Sequence, residues 1–211
     1  MVLDSQRERI DPILTPIAKA FLSLSPNAIT WLSLIFALLA GIFFFFSNPN
    51  TERFDYFLCI ASLFVFLNGM FDAIDGKVAK LTRRESLVGD FLDHAIDRYS
   101  DVLMVAGLSL SPWCRSEIGV LAIAGVLLTS YMGTQAQAVG YGRMYRGLLG
   151  RADRLTLLII FPVLQHFLVN TNPFDFTLLE WVLIYFAIVG NITAIQRFYL
   201  TMKWFKNREG D

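Results

Sequence analysis

The stretch FDAIDGKVAKLTRRESLVGDFLDHAIDRYSD, Phe71 to Asp101, decides how the rest of the chain is read. It carries carboxylates between two apolar runs, FLCIASLFVFLNGM before it and VLMVAGLSL after it. Asp72 and Asp75 are three residues apart, and Asp93 and Asp97 are four apart. On helices each pair shares one face. The polar turn around Thr82 to Glu85 predicts an antiparallel helical hairpin that brings four acids to similar depth. An Asp at the centre of a membrane helix costs about 2.5–3.5 kcal/mol to insert, so four together need a compensating partner.

Two kinds of partner are open. The acids could pair with Lys77, Lys80, Arg83, Arg84 and Arg98 nearby. For a single Asp that is as good a reading as any. For four at this spacing a divalent cation site is preferred, because intramembrane ionisable clusters are functional by default. Hard oxygen ligands without Cys or His suit Mg²⁺, Mn²⁺ or Ca²⁺. Four shared carboxylates hold two ions about 3.5–4 Å apart, the arrangement used in phosphoryl displacement. Gly76 follows Asp75, and Gly89 precedes Asp93 by one turn. Each either lets helices pack closely or lets a ligand reach the backbone.

Outside this stretch the chain is apolar. Of 211 residues, 55% are hydrophobic and 17% charged, with 19 phenylalanines. Mean hydropathy is +0.52. That excludes a disordered chain and is more apolar surface than a soluble globule of this size can hide. The net charge is zero, so nothing draws the chain to nucleic acid. Cys59 and Cys114 are too few and too isolated for a disulfide scaffold or zinc site. No cleavable signal peptide is expected in MVLDSQRERID.

The expected fold is all-α, integral to the membrane, with six spans of about 20 residues each. They run from about Asn27 to Ser47, Phe54 to Lys80, Leu87 to Leu110, Ile118 to Gly140, Leu155 to Val169 and Leu178 to Phe198, the last continuing toward Trp204. Ile10, Ile13, Leu14, Ile17, Ala18 and Phe21 recur at helical spacing and predict an interfacial amphipathic helix. The chain thus reads as one domain, 1–211: an interfacial segment, 1–25, and a six-helix core, 26–205. All of its 18 Lys and Arg except Arg53, Arg98 and Arg115 fall on the N-terminal side of the membrane. The positive-inside rule then puts both termini and the acids on the cytoplasmic side of a multi-pass cell-membrane protein.

The spacing Asp72-x2-Asp75-Gly76-x2-Ala79-Lys80-x8-Gly89-x3-Asp93-x3-Asp97 resembles the signature of the CDP-alcohol phosphotransferases. The resemblance covers the whole chain. It implies that Asp72, Asp75, Asp93 and Asp97 ligate two Mg²⁺ ions, with Mn²⁺ as the alternative, and that Asp97 is the general base. It further implies that Asp75, Gly76, Ala79, Lys80, Ser86 and Gly89 contact the CDP part of a lipid donor. Pro26, Asn27 and Thr30, in Pro26-Asn27-Ala28-Ile29-Thr30, resemble a second nucleotide-binding element of the family. By itself that stretch is a helix start, with Ser25 capping and Pro at the first position. One position departs: the family usually has Arg where this chain has Lys80, which keeps the charge and loses the bidentate fork. The family usually forms homodimers.

Past the fourth span come Arg143, Arg146, Arg151 and Arg154. They either serve positive-inside topology and anionic headgroups or bind a phosphorylated acceptor bidentately. Arg151-x2-Arg154 with Ser130-Tyr131 resembles the branch that makes phosphatidylinositol phosphate, or its archaeal ether-lipid counterpart, from inositol 1-phosphate. The donor is then CDP-archaeol or CDP-diacylglycerol. Gln135 and Gln137 stand where that branch commonly has a basic and an acidic residue; they bind acceptor hydroxyls or satisfy one another. Arg197 is a further phosphate candidate or a snorkelling side chain. His94 and His166 are expected in packing rather than catalysis, and Asp101 in a pair with Arg98. The same chemistry on glycerol 3-phosphate is one alternative. A divalent-cation transporter is another, although it predicts acids or polar breaks reaching through the outer half of the spans, which here is apolar.

Overall fold

The computed structural model describes residues 7–49, 56–142, 144, 147–168 and 173–209, and among these the regular structure is helical. Seven α-helices follow in order: α1 (Arg7–Ala20), α2 (Pro26–Phe46), α3 (Phe57–Thr82), α4 (Leu87–Ser109), α5 (Ser116–Ala138), α6 (Arg151–Phe167) and α7 (Leu178–Glu209).

Local chemistry sets the helix ends. Ser25 caps α2, its hydroxyl accepting from the Ala28 N–H at 3.3 Å, and Pro26 takes the first position, where a missing N–H costs nothing. α3 stops at Arg83, which adopts a left-handed conformation (φ 54°). Ser86 then starts α4 by accepting from the Gly89 N–H at 3.0 Å. At α7 the Thr177 hydroxyl accepts from the Glu180 N–H while the Glu180 carboxylate accepts from the Thr177 N–H, a reciprocal capping box.

Four helices, α2, α3, α5 and α7, are long and apolar enough to cross a membrane. The other two expected spans differ for identifiable reasons. α4 carries Asp90, Asp93, Asp97, Arg98 and Asp101, and α6 has only 17 residues. The last helix runs beyond the expected end, to Glu209.

The hairpin expectation needs correction. α3 and α4 are joined by the short turn, yet they touch over few residues, and α2 packs along both. Small residues allow this. Gly41 on α2 and Gly107 on α4 meet so closely that a Cβ on either would strike the other helix's backbone. A larger core joins Phe44, Leu58, Met104, Leu108, Leu158, Leu183 and Phe186. A smaller one joins Ala18, Ile29, Phe71, Ile74 and Val78. The amphipathic segment therefore docks on α3, with Phe21 edge-on to Phe71 at 5.4 Å, while Ile13 points outward. On the other side of the molecule α5 and α7 pack through Gly125 and Gly190, and the Thr129 hydroxyl donates to the Gly190 carbonyl at 2.7 Å. Both cysteines are free thiols. Burial pushes the Cys114 thiol up, and the Glu180 carboxylate adds to this, so it stays protonated and inert.

Candidate active site

Asp72 and Asp75 come from the last turns of α3, Asp93 and Asp97 from the first turns of α4. One carboxylate oxygen each of Asp72, Asp93 and Asp97 lies within 4.8 Å of the others. Asp75 does not join that triad. Its buried carboxylate accepts from the Thr30 hydroxyl of α2 at 2.6 Å. The helix between the two acid-bearing helices is thus fastened to the cluster itself.

A cavity of about 170 Å³ opens beside the acids. Pro26, Asn27, Thr30, Asp75, Gly76, Ala79, Lys80, Ser86 and Gly89 all line it, together with Arg84, Glu85, Asp90 and Asp93. Every residue expected to contact the nucleotide is therefore at one opening. The two glycines behave differently. A Cβ at Gly76 would meet nothing within 4 Å, so Gly76 keeps the cavity open. A Cβ at Gly89 would come to 3.2 Å from the Ser86 hydroxyl and 3.4 Å from the Asn27 side chain, so Gly89 lets α2 and α4 begin side by side. Arg84, Glu85 and Asp90 escaped the sequence reading. Arg84 follows the left-handed turn at Arg83 that ends α3, so helical spacing in the sequence does not mark it as a cavity residue.

The arginines turn toward the acids. Arg151, the first residue of α6, places Nη1 at 2.5 Å from Asp72 Oδ2 and 2.7 Å from Asp97 Oδ1. Arg154 donates to Asp101 Oδ2 at 2.6 Å, with both side chains buried. Arg98 lies 3.3 Å from Asp97 and 3.9 Å from Asp101, so the expected Arg98–Asp101 pairing is the weaker part of a network led by Arg154. Arg197 is buried and donates to the Thr129 carbonyl of α5. Gln135 and Gln137 are exposed. The structure brings Arg151 to the acids and leaves Arg197 and Gln135 on the α5–α7 side. Arg143 and Arg146 lie outside the described residues. His94 sits 3.5 Å from Asp93 and 3.6 Å from Asp90. His166 packs against Tyr56 and Phe167.

The donor set fits hard divalent cations. It consists of carboxylate oxygens without thiolate or imidazole in the triad. Asp72 Oδ1 is buried and accepts no hydrogen bond, which is costly for a carboxylate lacking a cation. The partner of Asp75 on α2 is a neutral hydroxyl, that of Thr30.

Residues 23–193 match the family model described as CDP-alcohol phosphatidyltransferase. The chain is 28% identical over 204 residues to the archaetidylinositol phosphate synthase of Pyrococcus horikoshii, covering 96% of this chain and 97% of that one. It is 26% identical over 200 residues to the phosphatidylinositol phosphate synthase of Cutibacterium acnes, covering 88% and 90%. The fold resembles the crystal structure of Mycobacterium tuberculosis phosphatidylinositol phosphate synthase with CDP-DAG bound, with a TM-score of 0.72 at 24% identity over 90% of this chain and 94% of that one. These matches decide for a membrane transferase over a cation transporter: the chain belongs to the CDP-alcohol phosphatidyltransferase family.

Proposed function

We propose that this enzyme transfers the phosphatidyl or archaetidyl group of CDP-diacylglycerol or CDP-archaeol to a hydroxyl of inositol 1-phosphate, releasing CMP. One observation carries the reading: the nine residues expected at the nucleotide line a single cavity whose wall includes Asp75 and Asp93. The synthases named above make the corresponding inositol phosphate lipids, by their names, and support the acceptor.

In this reading the cavity holds the CDP moiety. Gly76 leaves room for it, and Lys80 and Arg84 offer positive charge to the diphosphate. Asp72, Asp75, Asp93 and Asp97 hold two Mg²⁺ ions, or Mn²⁺, which when bound neutralise the diphosphate and the charge developing on departing CMP. A Mycobacterium tuberculosis synthase of this fold has been crystallised with manganese and citrate, which supports a divalent cation. Asp97 takes the proton of the acceptor hydroxyl as its oxygen bonds to the lipid-side phosphorus and the bond to CMP breaks. Positioning and electrostatics carry most of such a transfer, so a weakly basic carboxylate suffices. Arg151 offers its fork to the phosphate of the acceptor, together with Arg143 and Arg146 from the preceding segment. The chain crosses the membrane six times, with α4 and α6 completing the four apolar spans. Both termini and the site face the cytoplasm, and the enzyme works as a homodimer.

The test is CMP release from CDP-diacylglycerol or CDP-archaeol by the purified chain with Mg²⁺. Release with inositol 1-phosphate and none with glycerol 3-phosphate is expected. The reverse pattern overturns the acceptor, and no release with any polar alcohol overturns the reaction.

A further inference from the structure

We infer that Arg151 is an internal counter-cation that occupies the metal ligands until a divalent ion displaces it, so that the acceptor's phosphate can bind only after the metal. The inference rests on the proposed roles of Asp72 and Asp97 as metal ligands and of Arg151 as an acceptor contact.

A single nitrogen does the bridging. Arg151 Nη1 lies 2.5 Å from Asp72 Oδ2 and 2.7 Å from Asp97 Oδ1, on two of the three side chains whose oxygens gather within 4.8 Å. A Mg²⁺ ion sits at about 2.0–2.1 Å from its carboxylate oxygens. An ion shared by Asp72 and Asp97 would therefore fall where that nitrogen is now. The two cations exclude each other by size, and by repulsion in a site that is largely shielded from water.

The rest of the guanidinium is poised to leave. Arg151 Nε and Nη2 are buried and make no hydrogen bond. Asp101 Oδ1 is 3.9 Å from Nε, near enough to attract the group and too far to hold it. Asp101 is itself committed to Arg154 at 2.6 Å. Two N–H edges without partners are what a phosphate accepts from in bidentate fashion. While Nη1 bridges the acids, an incoming phosphate would stand beside Asp72 and Asp97 with no net positive charge to meet it. Once a divalent ion takes over the carboxylates, the fork is free and the surroundings are two charges less negative. Metal and anion binding are then coupled positively, and the coupling is reciprocal.

The experiment uses the full chain in micelles free of anionic lipid, with calorimetric titration of Mn²⁺ and of inositol 1-phosphate. Arg151→Gln is expected to bind Mn²⁺ several-fold more tightly than the native chain and to melt at a lower temperature without metal. A residue that merely organised the acids would do the opposite, so unchanged or weaker Mn²⁺ binding in a folded Arg151→Gln overturns the inference. The native chain supplies a second arm that needs no variant. It is expected to bind inositol 1-phosphate in the presence of Mn²⁺ and not in its absence, and equal binding in both conditions overturns the inference. Neither arm involves turnover, so both can fail while CMP release with inositol 1-phosphate persists, or hold when it does not.

Discussion

Arg154 and Asp101 form a buried ion pair between α6 and α4, with Nη2 at 2.6 Å from Oδ2. Removing one partner leaves an uncompensated charge, which costs about 3–5 kcal/mol, whereas an apolar pair of similar volume is often neutral. Arg154→Leu and Asp101→Leu singly should therefore lower the melting temperature sharply. The double variant should recover much of that loss, as read by thermal unfolding in micelles.

Thr30 ties α2 to the acid cluster through the Asp75 carboxylate. Thr30→Val keeps the shape and removes the donor, leaving a buried acceptor short of a partner at a cost of about 1–3 kcal/mol. The KM for the CDP-lipid should rise as well, because Thr30 and Asp75 line the same cavity. Unaltered stability together with an unaltered KM would show that the bond matters to neither.

Gly76 and Gly107 give opposite expectations for one substitution. Gly76→Ala meets open space and gains helix propensity, about 0.8–1.0 kcal/mol. It should be at least as stable as the native chain and bind the CDP-lipid less well. Gly107→Ala drives a methyl into the Gly41 backbone and should unfold more easily, with the donor KM little changed in whatever fraction folds. Melting curves paired with donor titrations separate the two.

Asn68 lies at the centre of the helix trio. It donates to the Ser33 carbonyl of α2 at 3.0 Å and to the Ser100 hydroxyl of α4 at 3.3 Å. Side-chain hydrogen bonds between membrane helices average about 0.6 kcal/mol and reach about 1.7 kcal/mol. Asn68→Leu should cost an amount in that range by unfolding in denaturant.

Chelation tests the cation requirement directly. EDTA should abolish CMP release, and excess Mg²⁺ or Mn²⁺ should restore it. Asp93→Asn should raise the metal concentration needed for half-maximal rate, since Asp93 belongs to the oxygen triad.

Much of the site was legible because its signal is local. Ser25-Pro26 marks a helix start, and the Asp72/Asp75 and Asp93/Asp97 spacings follow helical periodicity whatever the neighbours do. The donor side could be listed only through the family resemblance; its residues sit near the ends of α2, α3 and α4, within about two turns of a cap. The acceptor side was harder to read. Arg151, Arg154 and Arg197 looked alike as basic residues near the cytoplasmic ends of spans. Their partners, Asp72 with Asp97, then Asp101, then the Thr129 carbonyl, are distant in the chain.

The amino-acid order alone determined an apolar, helical membrane protein with four acids on two consecutive helices, because composition and short-range periodicity need no knowledge of packing. Only the tertiary structure decided that α2 lies along both acid-bearing helices, and that Arg151 reaches across from α6 to bridge them. The first depends on which small residues let which backbones approach. That is a property of pairs of surfaces, as at Gly41 and Gly107, and no single stretch of sequence contains it.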